Sequence, residues 1–433
     1  MRGCWLKNAL LKSNIMAKKI FVYADWHGLR GAILIGLLTA ETVRGKEIFS
    51  FEYTREWLES PHSQYLDPDL QLFPGRQFLR DEKPNFGMFL DSSPDRWGRV
   101  LMKRREAIIA RKEGRKAETL YESDFLLGVF DGSRMGGLRF KTEEEGHFLS
   151  FEEGLAAPPW VNLRDLEYAS LQLEKDDADS DEENLKWLNM LISPGSSLGG
   201  ARPKANVRDK DGNLWIAKFP SNNDELDTGA WEMVVHELAA SSGIRIAPAM
   251  LQKYTAKHHT FLIKRFDRID LTKRIHFASA MTLLGYRDGV DHHEGVSYLD
   301  LAALIQKRCE NINENLKELW KRIVFNIMVR NTDDHLRNHG FLLYPDGWGL
   351  SPAYDMNAVS TGTGLTLNIS ENDNSLSLEL ALEVAQHFRI KPKEASAMIN
   401  NMKKSISNWR QIASQYKLSN RELDAMSEAF YAE

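Results

Sequence analysis

The segment NTDDHLRNHGFLLYPDGWGLSPAYD, residues 331–355, constrains the chain more than any other stretch. It sets Asp333 and Asn338 five positions apart, follows them with a short hairpin-like run, and ends on Asp355 after Ala-Tyr. A carboxylate, a carboxamide and a second carboxylate in that order offer one proton acceptor and oxygen ligands for a hard cation such as Mg²⁺. The neighbours Asp334 and His335 leave another use open, a metal-dependent hydrolase built on Asp333, Asp334 and His335. The plainer reading of His335 is a ring that packs or hydrogen-bonds to hold the loop.

With 433 residues, 42% hydrophobic and 27% charged, the chain is long enough for two or three domains with ordinary cores. A net charge of −5 argues against a basic nucleic-acid-binding protein. Two cysteines, Cys4 and Cys309, are too few for a disulfide framework or a thiolate zinc site, so a reducing, cytoplasmic setting fits. No apolar run approaches a membrane span, and the basic start lacks the apolar core of a secretory signal. Residues 1–15 read as an extension ahead of the first convincing strand.

That strand is KKIFVYA. GAILIGLLT and EIFSFEY read as two more, PDRWGRVLMKRREAIIARKEG as a helix opened by Pro94, and SRMGGLRFK as a closing strand. An acidic run, 174–184, reads as a solvated loop. KANVRDKDGNLWIAKFP is a hairpin turning at Asp211-Gly212, followed by a helix over 227–242 that ends at Gly243. LQKYT and HTFLIKRF are further strands. Beyond about residue 267 the pattern turns helical, and Leu316, Leu319, Trp320, Ile323 and Ile327 share one face of the helix that delivers the TDDH loop. The tail reads as short amphipathic helices.

Upstream parts give the opening segment its context. PGSSLGGARPK lacks the Lys-Ser/Thr of a Walker A loop, yet its small residues would let backbone N–H groups approach phosphate oxygens. Lys218 ends an apolar strand, where a lysine usually snorkels to water. It also stands where a phosphate-binding lysine would, with Glu232 early on the next helix as its partner and Glu237 in reserve. Gly-rich loop, strand lysine, helix glutamate, Asp333, Asn338 and Asp355 follow the chain order of a protein kinase, whose chemistry asks for positioning and charge neutralisation. DHHE at 291–294 reads as an exposed loop.

These residues resemble the HipA-like Ser/Thr protein kinases, toxins of bacterial toxin–antitoxin operons. The resemblance is carried by SSLGGARPK, Lys218, Glu232, KRFDR at 264–268, NTDDHLRNHG and SPAYD, and by FLDSSPDRWGR and GSRMGGLRF nearer the start. It implies an α+β, protein-kinase-like two-lobe fold with a β-rich N-terminal region and a mostly helical C-terminal lobe. The expected domains are 16–148, a nucleotide-binding lobe at 149–266, and a catalytic lobe at 267–433. ATP and Mg²⁺ are the implied cofactors, Asp333 the catalytic base, and Asn338 and Asp355 the metal ligands. Ser196, Ser197, Gly199, Gly200, Lys204, Lys218, Glu232, His335 and Arg337 are expected at the nucleotide. The Lys264-Arg265-Phe266 backbone would form the adenine hinge, and Asp267 would lie near the ribose. Ser197, or Ser196 beside it, would accept the autophosphorylating phosphate. Arg202-Pro203 departs from the family's usual Gln-Glu, leaving the role of Arg202 open. The family implies a small helix-turn-helix antitoxin that makes the DNA contacts, and protein substrates that include aminoacyl-tRNA synthetases. A pseudokinase scaffold in a repressor complex is the remaining alternative.

Overall fold

The computed structural model describes residues 17–79, 83–149, 159–175, 185, 187–188, 191, 202–255, 258–270 and 273–431. Ser196, Ser197, Gly199, Gly200 and nearly all of the acidic run lie outside the described residues.

The first antiparallel sheet joins Ala17–Ala24 (β1), Ile33–Val43 (β2), Lys46–Tyr53 (β3), Gln77–Phe78 (β4) and Leu138–Lys141 (β5) in the order β4-β3-β2-β1-β5. Phe49, Phe51 and Tyr53 recur at every second position of β3 and face the core, as the pleat dictates, while Ile48 and Glu52 stay exposed. The helix Arg96–Lys112 opens two residues later than the sequence suggested. Its cap is Asp95, whose Oδ1 accepts from the Gly98 N–H at 2.8 Å, and Pro94 stands just outside.

The second sheet joins Lys204–Arg208 (β6), Leu214–Lys218 (β7), Ala249–Gln252 (β8) and Thr260–Lys264 (β9) in the order β6-β7-β9-β8. The helix Thr228–Ser241 packs on it through Met233 and the His236 ring against Phe261, and turns Trp231, Val234, Val235 and Leu238 into the core shared with the C-terminal helices, with Asp227 as its N-cap. A third sheet, His276–Ser279 (β10), Gly340–Tyr344 (β11) and Gly347–Leu350 (β12), lies among the C-terminal helices. β11 and β12 are the hairpin read from the sequence. β10 was not legible there, because four residues buried at every position show no alternation. The helix Ile312–Met328 buries all five residues picked out by spacing.

The N-terminal sheet is welded to the rest. Its side chains share one core with those of the C-terminal helices, Phe51 and Phe89 in the same cluster as Leu319 and Trp320. Asp91 accepts from the Ser279 N–H and hydroxyl at 2.7 and 2.8 Å. Gly136, at φ +72°, lets the chain pass so close that a Cβ there would lie 2.9 Å from the Phe277 nitrogen. Trp26 stacks on His276 at 4.8 Å.

Burial pushes the His276 imidazole down to about 3, so it folds neutral. The unfolded chain then binds more protons between about 6.5 and that value, and stability falls as the pH drops through this window. By pH 5 the loss from this residue is about 2 kcal/mol. The Tm of His276→Phe should therefore fall less between pH 7.5 and pH 5 than that of the parent; equal drops would exclude His276 as a source of acid sensitivity.

Candidate active site

Strand register brings the site's cations together. In the β6–β7 ladder Lys204 lies opposite Lys218. The Lys218 ammonium sits 2.5 Å from Glu232 Oε1 and 2.6 Å from Asp355 Oδ1. Burial works against that ammonium, and Asp355 and Glu232 more than offset it, so Lys218 is held above its ordinary value. Asp355 is half-buried; burial raises its carboxyl, but Lys218 first and Lys204 second draw it down to about 2. Burial pushes Glu232 up, with Lys218 pulling in the other direction. Glu237 goes elsewhere and accepts from the Tyr416 hydroxyl.

The 331–338 loop leaves the helix Ile312–Met328 through Arg330, at φ +47°. Asp333 is exposed, and its carbonyl oxygen accepts from the Asn338 Nδ2 at 2.9 Å and the His335 N–H at 3.0 Å. Asp334 points the other way. Its Oδ2 accepts from the Tyr298 hydroxyl at 2.6 Å, Asn326 Nδ2 at 2.6 Å and His339 Nε2 at 2.8 Å. Three donors on one buried oxygen make Asp334 the anchor of the loop and take it out of any ligand set with Asp333 and His335. The anchoring that the sequence assigned to the His335 ring falls to Asp334, and His335 contributes through its backbone. Asn331 ties this loop to the next: its Nδ2 donates to Asn326 Oδ1 at 3.0 Å, and its Oδ1 accepts from the Asn357 N–H at 3.2 Å.

Asp355 adopts φ +57°, a left-handed conformation uncommon outside glycine. Tyr354 fixes the approach to it, donating to the Arg337 carbonyl at 2.7 Å and lying against the Phe266 ring at 5.5 Å. Strain held at such a position accompanies functional geometry.

Between the second sheet and this loop lies a cavity with Lys204, Lys218 and Asp355 at one end and Met135, Ile216, Ile263, Phe266 and Tyr354 along it. Its remaining lining is Lys264 and Arg265. Apolar walls beside a strip of extended backbone suit a flat heteroaromatic ring. A larger, open hollow lined by residues from 222–227 and 415–425 contains neither lysine and none of the acids at 333, 334 and 355.

One expected contact, that of Asp267, turns out differently. The Arg265 side chain leaves the cavity for the N-terminal region, where it donates to the Ser133 carbonyl at 2.5 Å and to Asn206 Oδ1 at 2.8 Å. Asp267, 0% exposed, accepts from Arg265, Arg268 and the Gly136 N–H, so its carboxylate faces the junction and not the ribose position. Burial alone would raise that carboxyl, and Arg265 and Arg268 hold it well below the usual carboxylate range. A buried acid is driven to the guanidiniums beside it. Arg337 pairs with Asp288 at 3.1 Å at the rim. The open question of Arg202 has an answer: it grips Asp224 with both terminal nitrogens and the Phe219 carbonyl with Nε, anchoring the strand entry after the Gly-rich segment.

Two residues now at the site carried no role in the sequence reading. Asp95, in FLDSSPDRWGR, places its Oδ2 3.1 Å from the Lys204 ammonium. Met135, in GSRMGGLRF, reaches the cavity wall from the N-terminal region. Both lay inside motifs already noted, but nothing local said what they would touch.

Residues 196–409 match the family model of the HipA-like C-terminal domain. A Haemophilus influenzae protein named as a presumed kinase is 34% identical over 184 residues, covering 38% of this chain and 53% of its own length. The Ser/Thr-protein kinase toxin HipA of Shewanella oneidensis is 26% identical over 194 residues, 38% of this chain and 44% of that protein. The chain thus spans about half the length of the curated relatives it matches. The fold extends further. A chain from the solved complex of Shewanella oneidensis HipA, HipB and operator DNA superposes with a TM-score of 0.65 at 17% identity, covering 95% of this chain and 94% of that one. The architecture is α+β, as the sequence implied, and residues 196–409 belong to the HipA-like C-terminal domain family.

Proposed function

We propose that the chain is an Mg-ATP-dependent serine/threonine protein kinase and the toxin of a toxin–antitoxin pair. The observation that carries this reading is Lys218, buried between Glu232 and Asp355 at the charged end of an apolar cavity. The lobe at 149–266 binds nucleotide and that at 267–433 supplies the reacting groups. Ile216, Ile263, Phe266 and the Lys264–Phe266 backbone would hold the adenine, and Lys218 and Lys204 the phosphates. Asp333 accepts the proton of the attacking serine or threonine hydroxyl as the new O–P bond forms and the bond to ADP breaks.

Asn338 and Asp355 suit Mg²⁺. Both offer oxygen, Asp355 stays ionised, and Asn338 commits its nitrogen to the Asp333 carbonyl, leaving Oδ1 as the donor atom. These two residues would hold the ion, whose chemistry there would be neutralisation of phosphate charge. Autophosphorylation on Ser197 or Ser196 would place about −1.5 to −2 charge in a loop that cradles phosphates and so switch the kinase off. The solved neighbour with HipB and operator DNA supports a small DNA-binding antitoxin as partner, with DNA reached through it. An aminoacyl-tRNA synthetase as substrate rests on the family resemblance alone. A cytoplasmic setting agrees with the two cysteines. Among the described residues no helix is long and apolar enough to cross a membrane.

Calorimetric titration with Mg²⁺ and a non-hydrolysable ATP analogue tests the nucleotide site. Lys218→Met should weaken binding by about tenfold or more, the worth of one charge-assisted contact. Unchanged affinity would remove Lys218 from the phosphates.

A further inference from the structure

The two lysines of the cleft create an electrostatic conflict. Lys204 and Lys218 are direct partners in the β6–β7 ladder, and like charges directly opposite on a sheet repel. Lys218 is answered by Glu232 and Asp355. Lys204, 3% exposed, is answered from outside the sheet by Asp95 at 3.1 Å. Asp95 heads the helix Arg96–Lys112 and is itself 2% exposed. Its carboxylate divides its work: Oδ1 caps that helix through the Gly98 N–H, and Oδ2 faces Lys204. Lys204 also lines the same cavity as Asp355 and acts on that carboxylate across it.

We propose that Asp95 is a positioning residue for phosphoryl transfer: it holds the Lys204 ammonium at the phosphate end of the cleft and keeps it off the Asp355 carboxylate. The inference rests on the nucleotide-site reading above. Asp355 already carries Lys218. When Lys204 loses the acid beside it, its charge turns to the carboxylate it shares the cavity with. A second ammonium on Asp355 competes directly with a cation seeking the same oxygens. The N-terminal region thereby reaches into the chemistry of the C-terminal domain through one side chain.

Asp95→Asn separates the two jobs, since the amide oxygen still caps the helix while the charge is gone. The full chain is loaded with a non-hydrolysable ATP analogue and titrated with Mn²⁺, free ion being read by electron paramagnetic resonance. Asp95→Asn should bind Mn²⁺ about tenfold more weakly than the parent. Adding Lys204→Gln to Asp95→Asn should return Mn²⁺ affinity toward the parent value, because no ammonium then competes. If the Asn variant is unstable, Asp95→Ser, also a good cap without charge, carries the same comparison. Parent-like Mn²⁺ binding in Asp95→Asn, or no recovery in the double variant, overturns the proposal. A parent protein that binds no nucleotide overturns the nucleotide-site reading itself, a result distinguishable from the other two.

Discussion

Asp333→Asn lowers the rate of phosphoryl transfer by about two to four orders of magnitude, the usual contribution of a positioned general base. The loop survives the change, because the groups around Asp333 use its backbone: Asn338 Nδ2 and the His335 N–H both donate to its carbonyl oxygen. The side chain itself is exposed. Thermal stability and analogue binding should therefore match the parent while single-turnover transfer from labelled ATP collapses. Asp334→Asn is the contrasting variant. It disturbs an oxygen that accepts from Tyr298, Asn326 and His339, so its loss of activity comes with a lower Tm. A parent-like rate in Asp333→Asn would deprive that carboxylate of its assigned role.

Asp267→Ala is expected to cost about 3–5 kcal/mol of stability, the range for breaking a buried ion pair from one side. Asp267 is 0% exposed and neutralises Arg265 and Arg268, which lie beside Arg274 and Arg134 in the junction. Removing the acid leaves guanidiniums facing one another in a dry interface. It also removes the acceptor for Gly136 N–H, 2.8 Å away, on the segment that crosses Phe277. The sign with pH follows from the depressed carboxyl. The contribution of Asp267 is full above its ordinary value of 3.8 and is lost as the pH falls toward its folded one. Urea denaturation at neutral pH should show a markedly lower midpoint for the variant, with the gap narrowing in acid. A midpoint within experimental scatter of the parent would mean the junction is held by its apolar contacts alone.

The two results separate what was legible in the sequence from what was not. Asp333, Asn338 and Asp355 could be picked out together because they fall within one short unit of the sequence. Lys218 and Glu232 could be paired because a strand and the next helix have predictable faces. Leu316, Leu319 and Trp320 were legible as a buried stripe through helical period alone. Asp267 was placed by its neighbours in KRFDR, yet its carboxylate is turned by Gly136, which no local pattern connects to it. Asp95 read as part of a helix start, which it is, while its second oxygen answers a lysine in another sheet. β10 was hidden because its pairing partner, β11, arrives only after three α-helices. Local periodicity and chain order are written in the sequence; the choice of partner for a buried charge is decided by packing.

The central claim is that this cleft transfers phosphate from Mg-ATP to a hydroxyl. Intact-mass spectrometry of the purified chain, before and after incubation with Mg-ATP, tests it most directly. The account predicts a mass gain of one phosphoryl group that peptide mapping assigns to Ser197 or Ser196, and that is absent from Asp333→Asn and without Mg²⁺. An unchanged parent mass, or an equal gain in Asp333→Asn, would contradict it.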